Sequence, residues 1–132
     1  MTPREIAARL EAAAKESKVA VRLAGPGESA PPEGVRDGTA HVAADAIVGD
    51  SAAVVLFGGD RRLRPILAAR ALVAHADAAV LVAGYGAALA RFPGEGRMIA
   101  ICGPSRTADI EKTLVVGVHG PHEVTIVVYG LA

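Results

Sequence analysis

Residues 97–129 read RMIAICGPSRTADIEKTLVVGVHGPHEVTIVVY, and the fold turns on how that stretch divides. Arg97 to Cys102 is an apolar run of strand length, and Val124 to Tyr129 is a second one rich in β-branched residues. Between them, Gly103-Pro104-Ser105 forms a turn. Ile110, Leu114 and Val118 then recur at helical spacing until Gly120-Pro121 stops them. Strand, crossover helix and strand predict a βαβ unit, with parallel neighbours and a right-handed connection. The expected class is α/β, a mainly parallel sheet flanked by helices.

Upstream elements agree with that class. Thr2-Pro3-Arg4-Glu5 is a helix start, with Thr2 as cap, Pro3 in the first turn and Glu5 closing a capping box, and the helix is expected to run to about Ser17. Val19 to Leu23 reads as a short strand, and residues 24–38, rich in Pro and Gly, read as a loop or irregular crossing. Two apolar runs around Gly49-Asp50-Ser51 predict a β-hairpin, closed by Gly58-Gly59-Asp60. Residues 66–76 are ambiguous between strand and helix end. Asp77 is placed as the cap of a helix carrying Leu81, Tyr85, Leu89 and Phe92, ended by Pro93-Gly94.

Composition narrows the function. At 132 residues the chain suits a single domain, 1–132, with residues 1–38 as an N-terminal helix, strand and loop. Fourteen basic side chains balance fourteen acidic ones, so no net field draws the molecule to nucleic acid or an anionic membrane. No apolar window approaches a membrane span, and the N-terminus reads as an amphipathic helix, so a cytoplasmic location is expected. One cysteine, Cys102, cannot close an internal disulfide or hold an iron–sulfur cluster, which takes four ligands. No cofactor or metal is therefore expected on this chain itself.

The chemistry concentrates where the strand ending at Cys102 meets the expected helix. Ligands of open α/β sheets collect at carboxyl ends of strands, and free N–H groups at a helix N-terminus favour anions. Gly103, Ser105, Arg106 and Thr107 make that turn an anion-site candidate, Arg106 offering a fork for carboxylate or phosphate. The alternative is that Ser105 and Thr107 only cap and Arg106 pairs with an acidic neighbour. Arg62, in the cluster Arg61, Arg62 and Arg64, is a further anion-binding candidate, against a solvated surface. Asp50, at a tight turn, and His119, at the expected helix end, are the catalytic candidates; the first is also a turn former and the second a cap. Cys102 reads as a small apolar side chain, or as a reactive thiol if a helix N-terminus follows. His41, His75 and His122 lack metal-motif spacing, and Tyr85 and Tyr129 read as core or edge residues.

The run Gly103-Pro104-Ser105-Arg106-Thr107-Ala108-Asp109-Ile110-Glu111, followed by Gly117-Val118-His119-Gly120-Pro121, resembles the C-terminal signature of the LUD-domain family, lactate utilisation protein C type. Weaker resemblance reaches back to about Thr39. It implies a fold similar to the NagB/RpiA/CoA-transferase group, and an accessory role in oxidising L-lactate to pyruvate beside iron–sulfur partner subunits, with a small carboxylate or phosphate as ligand. It leaves homo-oligomerisation open. The family commonly shows Ala-Glu-Thr-Gly-Thr before an apolar strand where this chain has Gly49-Asp50-Ser51-Ala52-Ala53, so Asp50 stands for the Glu and Ala52 for the Gly. A His that relatives carry after a Ser-Leu-Leu-Pro-Pro segment has no counterpart near Pro65-Ile66-Leu67, and the N-terminal part looks shortened. The other roles compatible with these departures are a stand-alone enzyme on a phosphorylated or acyl substrate and a non-catalytic interaction domain.

Overall fold

The computed structural model describes residues 1–104, 107–109, 113–118 and 120–131, with backbone alone for 107–109 and 113–118. Helix α1 (Pro3–Ser17) starts as its sequence requires. The Thr2 hydroxyl accepts from the Glu5 N–H at 3.2 Å, and Glu5 reaches back to the Thr2 N–H at 3.3 Å. Ile6, Leu10 and Ala14 share its buried face. Strand β1 (Ala20–Leu23) follows, and the Pro/Gly-rich stretch contains one short edge strand, β2 (Gly34–Arg36). Next come β3 (Thr39–Ala43) and the expected hairpin, β4 (Ala46–Val48) against β5 (Ala53–Gly58), antiparallel.

Helix α2 (Asp60–Ala68) covers the arginine cluster, with Leu63 and Ile66 buried. The ambiguous stretch resolves as β6 (Ala71–Asp77). Asp77 does cap, accepting from the Ala79 N–H at 2.9 Å, but it opens only a single 3-10 turn, Ala78–Val80. The expected long helix is corrected here: Leu81–Val82 is strand β7, and helix α3 (Tyr85–Ala90) begins only after Gly84. Two glycines flanking Tyr85 carry a helix penalty of about 1 kcal/mol each, enough to break a weak pattern.

A second correction concerns the opening stretch. Strand β8 (Arg97–Ile101) is where expected, but β9 (Thr107–Asp109) and β10 (Thr113–Val118) are antiparallel strands. Leu114 and Val118 thus lie on a strand; Ile110 lies outside the described residues. Thr113, Val115, Val116 and Val118 are β-branched, and that preference prevails over a three-residue helical stripe. The terminal strand β11 (Glu123–Tyr129) does not share a sheet with β8, so residues 97–129 are not a βαβ unit.

Among the described residues two sheets result. The first has order β1-β11-β6-β3-β2 and is parallel except for the β2 edge; the second has order β10-β9-β8-β5-β4-β7 and is antiparallel except where β4 meets β7. The α/β class with a mainly parallel sheet holds in the first; the second, mostly antiparallel sheet was not foreseen. Both sheets share one core with α1 and α2, in which Leu10, Ile47, Leu56, Leu63, Leu72, Ile99 and Ile126 are at most 1% exposed. The far side of the second sheet packs Val48, Val55 and Met98 under Ala88 of α3. Among the described residues no helix is long and apolar enough to cross a membrane.

Candidate functional site

The β4–β5 turn is held on three sides. Gly49 lies so close under α1 that a Cβ there would come within 2.8 Å of the Ile6 side chain. The Gly49 and Asp50 N–H groups donate to the carbonyls of Val82 and Ala83 at 2.8 and 3.0 Å. Asp50 then pairs with Arg9 of α1 at 3.1 Å, an exposed contact worth little by itself. Ala52 closes the turn in the left-handed region, at φ +57°, and is fully buried. That conformation suits glycine, the residue that the resemblance leads one to expect at this point of the hairpin.

The register Val54↔Ile101 brings the end of β8 beside this turn. There the Tyr85 hydroxyl lies 3.2 Å from the Cys102 sulfur. Burial, and then the neighbouring Cys102, push the Tyr85 phenol up to about 12, and Ser51 partly offsets this. The Ser51 hydroxyl oxygen is buried and makes no hydrogen bond of good geometry. Gly103, at φ +113°, passes so close to the end of α1 that a Cβ would sit 2.6 Å from the Ser17 carbonyl oxygen. Asp50, Ser51, Tyr85, Cys102 and Gly103 therefore gather where α1, α3 and β8 converge, so the Asp50 turn and the start of the 103–107 segment are neighbours.

Other parts of the sequence-derived site fare differently. Ser105, Arg106 and His119 lie outside the described residues. Thr107 starts β9, so the helix N-terminus meant to attract an anion, and to activate the Cys102 thiol, is replaced by strand. Arg62 turns inward, which corrects its reading as a ligand-binding or solvated residue. Its Nε donates to Glu33 at 3.1 Å. One terminal nitrogen serves Asp45 at 2.7 Å and the Phe57 carbonyl, and the other serves Glu33 and the Ala43 carbonyl, both at 2.8 Å. All five guanidinium N–H groups are spent inside the fold. The two carboxylates raise its pKa further, and Arg62 holds the Glu33 carboxyl below its ordinary range.

A second cluster was missed altogether. At the carboxyl ends of β3, β6 and β11 a cleft of about 400 Å³ opens, with His75, Asp77, Tyr129 and Glu28 in its lining. His75 is buried, its Nε2 3.0 Å from His41 Nδ1 and its Nδ1 2.7 Å from the Tyr129 oxygen. Burial first, then His41, Arg22 and Arg36, push the His75 pKa below its ordinary value. Arg22 grips Glu28 through two bonds of 2.9 and 2.6 Å, holding that carboxyl near about 2. Sequence spacing hid this cluster, because 34 residues separate the two histidines and 54 separate His75 from Tyr129. The usable signal was a polar residue within each of three apolar strands. Among the described residues no three His, Cys, Asp or Glu side chains assemble as a metal site.

Comparison with known proteins places the chain beside the family its C-terminal signature resembles. Residues 66–129 match the LUD domain. Over 85 residues the chain is 39% identical to lactate utilization protein C of Shouchella clausii (strain KSM-K16), an alignment covering 58% of this chain and 37% of that protein's length. The fold is similar to the crystal structure of a DUF162 family protein from Deinococcus radiodurans, with a TM-score of 0.63 and 15% identity over 98% of this chain and 99% of that one. The LUD resemblance drawn from residues 103–121 is borne out.

Proposed function

We propose that this chain is an accessory component of a lactate-utilisation system, working beside iron–sulfur subunits and binding a small carboxylate or phosphate. The observation that carries the reading is the 39% identity to lactate utilization protein C. In this reading the ligand lies along the 103–107 segment, where Arg106 supplies a fork-shaped donor and Ser105 and Thr107 supply hydroxyls. Asp50 and Ser51 border the same region. Arg62 has no part in it, since its donors are used within the fold. With one cysteine in 132 residues, the chain leaves electron transfer to its partners.

Thermal stabilisation tests the proposal directly. A ligand that binds only the folded state raises the melting temperature, by an amount equivalent to about 2.7 kcal/mol at a hundredfold excess over Kd. L-lactate, pyruvate, phosphate, ATP and CoA are compared on the wild type and on Arg106→Ala. A shift with lactate or pyruvate that Arg106→Ala abolishes supports the reading. No shift with any of the five at saturating concentration would sink it.

A further inference from the structure

We propose that the cleft at the carboxyl ends of β3, β6 and β11 is a second, acid–base binding site. It takes a small uncharged compound bearing a hydroxyl or carbonyl group, which hydrogen-bonds the Tyr129 hydroxyl, while His75 and His41 relay the proton.

The relay follows from the hydrogen-bond inventory. His75 uses both ring nitrogens, one toward His41 and one toward Tyr129. A neutral imidazole carries one N–H, so it donates on one side and accepts on the other. In one arrangement His41 Nδ1–H donates to His75 Nε2, His75 Nδ1–H donates to the Tyr129 oxygen, and the Tyr129 proton is free for a ligand. When a basic ligand atom takes that proton, Tyr129 oxygen takes the His75 Nδ1 proton and His75 Nε2 takes the His41 Nδ1 proton. Half-buried His41 then recovers one at Nε2 from a solvent acid, hydronium or a buffer acid, which leaves as water or the buffer base. The three protein groups end neutral, and the ligand has gained one proton with its positive charge. Running the steps backward removes a proton from a ligand hydroxyl.

The rest of the lining selects the ligand. The cleft has the volume of a small-metabolite site. Its lining includes two carboxylates, Glu28 and Asp77, and no lysine or arginine. The nearby cation Arg22 is bound to Glu28. A carboxylate ligand would meet the Asp77 carboxylate while Arg22 is spent on Glu28, whereas a neutral hydroxycarbonyl would meet the Tyr129 and Ser29 hydroxyls beside Ala30, Pro31 and Val80. The groups facing His75 are His41 from β3, Tyr129 from β11, Arg22 from β1, Arg36 from β2 and Glu28 from the β1–β2 loop, with Asp77 on its own strand. Burial first, and then Arg22 and Arg36 outside the lining, favour the neutral form of His75 against the opposing pull of Glu28, as a relay near neutral pH requires.

Two NMR measurements on the full chain decide the matter. Ring ¹⁵N spectra of the wild type, at a pH where both histidines are neutral, should show one proton shared between His41 Nδ1 and His75 Nε2. Two protonated or two unprotonated nitrogens there overturn the relay. Hydroxyacetone, the neutral probe, should shift the His75 and Tyr129 ring signals, and L-lactate should not. Tyr129→Phe, which keeps the ring, should weaken hydroxyacetone about tenfold, the equivalent of one lost hydrogen bond. Equal response to lactate, no response to hydroxyacetone, or undiminished binding by Tyr129→Phe each refute the site. Lactate shifts confined to residues around Asp50 and Gly103 belong to the separate carboxylate site proposed above.

Discussion

Replacing Arg62 by Met asks whether this guanidinium is a structural clamp. The side chain is 25% exposed and holds Glu33 of the β1–β2 loop, Asp45 ahead of β4, and the carbonyls of Phe57 and Ala43. Neither carboxylate is orphaned by its loss, because Asp45 still accepts from the Phe57 N–H and Glu33 from the Ala43 N–H. The two charged contacts are therefore worth about 1 kcal/mol each after allowance for solvent, and the two stranded carbonyls add about 1 kcal/mol together. A loss of about 3 kcal/mol should lower the melting temperature by roughly 10 °C. With no tryptophan in the chain, urea unfolding followed by far-UV circular dichroism is the suitable assay. Arg62→Lys should recover no more than about 1 kcal/mol, because an ammonium cannot span the fork. The folded-state pKa of Glu33 is depressed, so its contribution is present above 4.5 and lost as pH falls below it. Arg62→Met should flatten that acid slope. A variant within about 0.5 kcal/mol of wild type, with unchanged m-value, would refute the clamp and return Arg62 to the pool of ligand-binding residues.

Gly103→Ala should cost about 2–3 kcal/mol in thermal or urea unfolding, since its Cβ would strike the Ser17 carbonyl and its φ of +113° disfavours any side chain. A neutral result would mean that α1 shifts freely away from β8. Ala52→Gly should change stability by less than about 1 kcal/mol: relief of the left-handed strain, about 1 kcal/mol, nearly cancels the loss of a buried methyl, about 0.8 kcal/mol. A loss well beyond that would show that packing outweighs strain at the turn. His75 has a folded-state pKa below 6.5, so the unfolded chain binds more protons as pH drops through 6.5. Its stability contribution is complete above 6.5, declines below it, and levels off beneath the folded-state pKa. Melting temperatures followed downward from neutral pH should show this, with a shallower decline in His75→Gln; a rise on acidification would contradict it.

Local signals were legible wherever one residue type decides one backbone event. The Thr2/Glu5 box and the Gly49-Asp50 turn needed no tertiary information, and both elements formed as read. Residues 107–109 and 113–118 were misread because Leu114 and Val118 fit a helical stripe while their neighbours are β-branched, and a short apolar run does not separate the two periods. Helix α2 was overlooked because Arg61, Arg62 and Arg64 drew attention as a charge cluster, although Leu63 and Ile66 mark its buried side. Arg62 shows why such a cluster cannot be assigned from sequence. Its acceptors come from three segments, at separations of 5 to 29 residues, and only the fold unites them.

The residues that mark kinship and the residues equipped for proton chemistry stand in different places. Gly103 belongs to the signature, yet a close approach to the Ser17 carbonyl is sufficient reason for a glycine there. Ala52 occupies a left-handed turn position, so backbone shape alone explains why a Gly would suit it. Backbone shape therefore accounts for one point of the family resemblance, Gly103, without any ligand, and for the demand at position 52. His41, His75 and Tyr129 have no such explanation. A buried histidine bridging two further proton-carrying groups is costlier than the apolar side chains around it on β6 unless every bond is kept. The parallel sheet places that arrangement at its carboxyl edge, where α/β folds present ligands. Substituting Tyr129 by Phe thus interrogates chemistry and should show in ligand binding, whereas substituting Gly103 by Ala interrogates architecture and should show in unfolding.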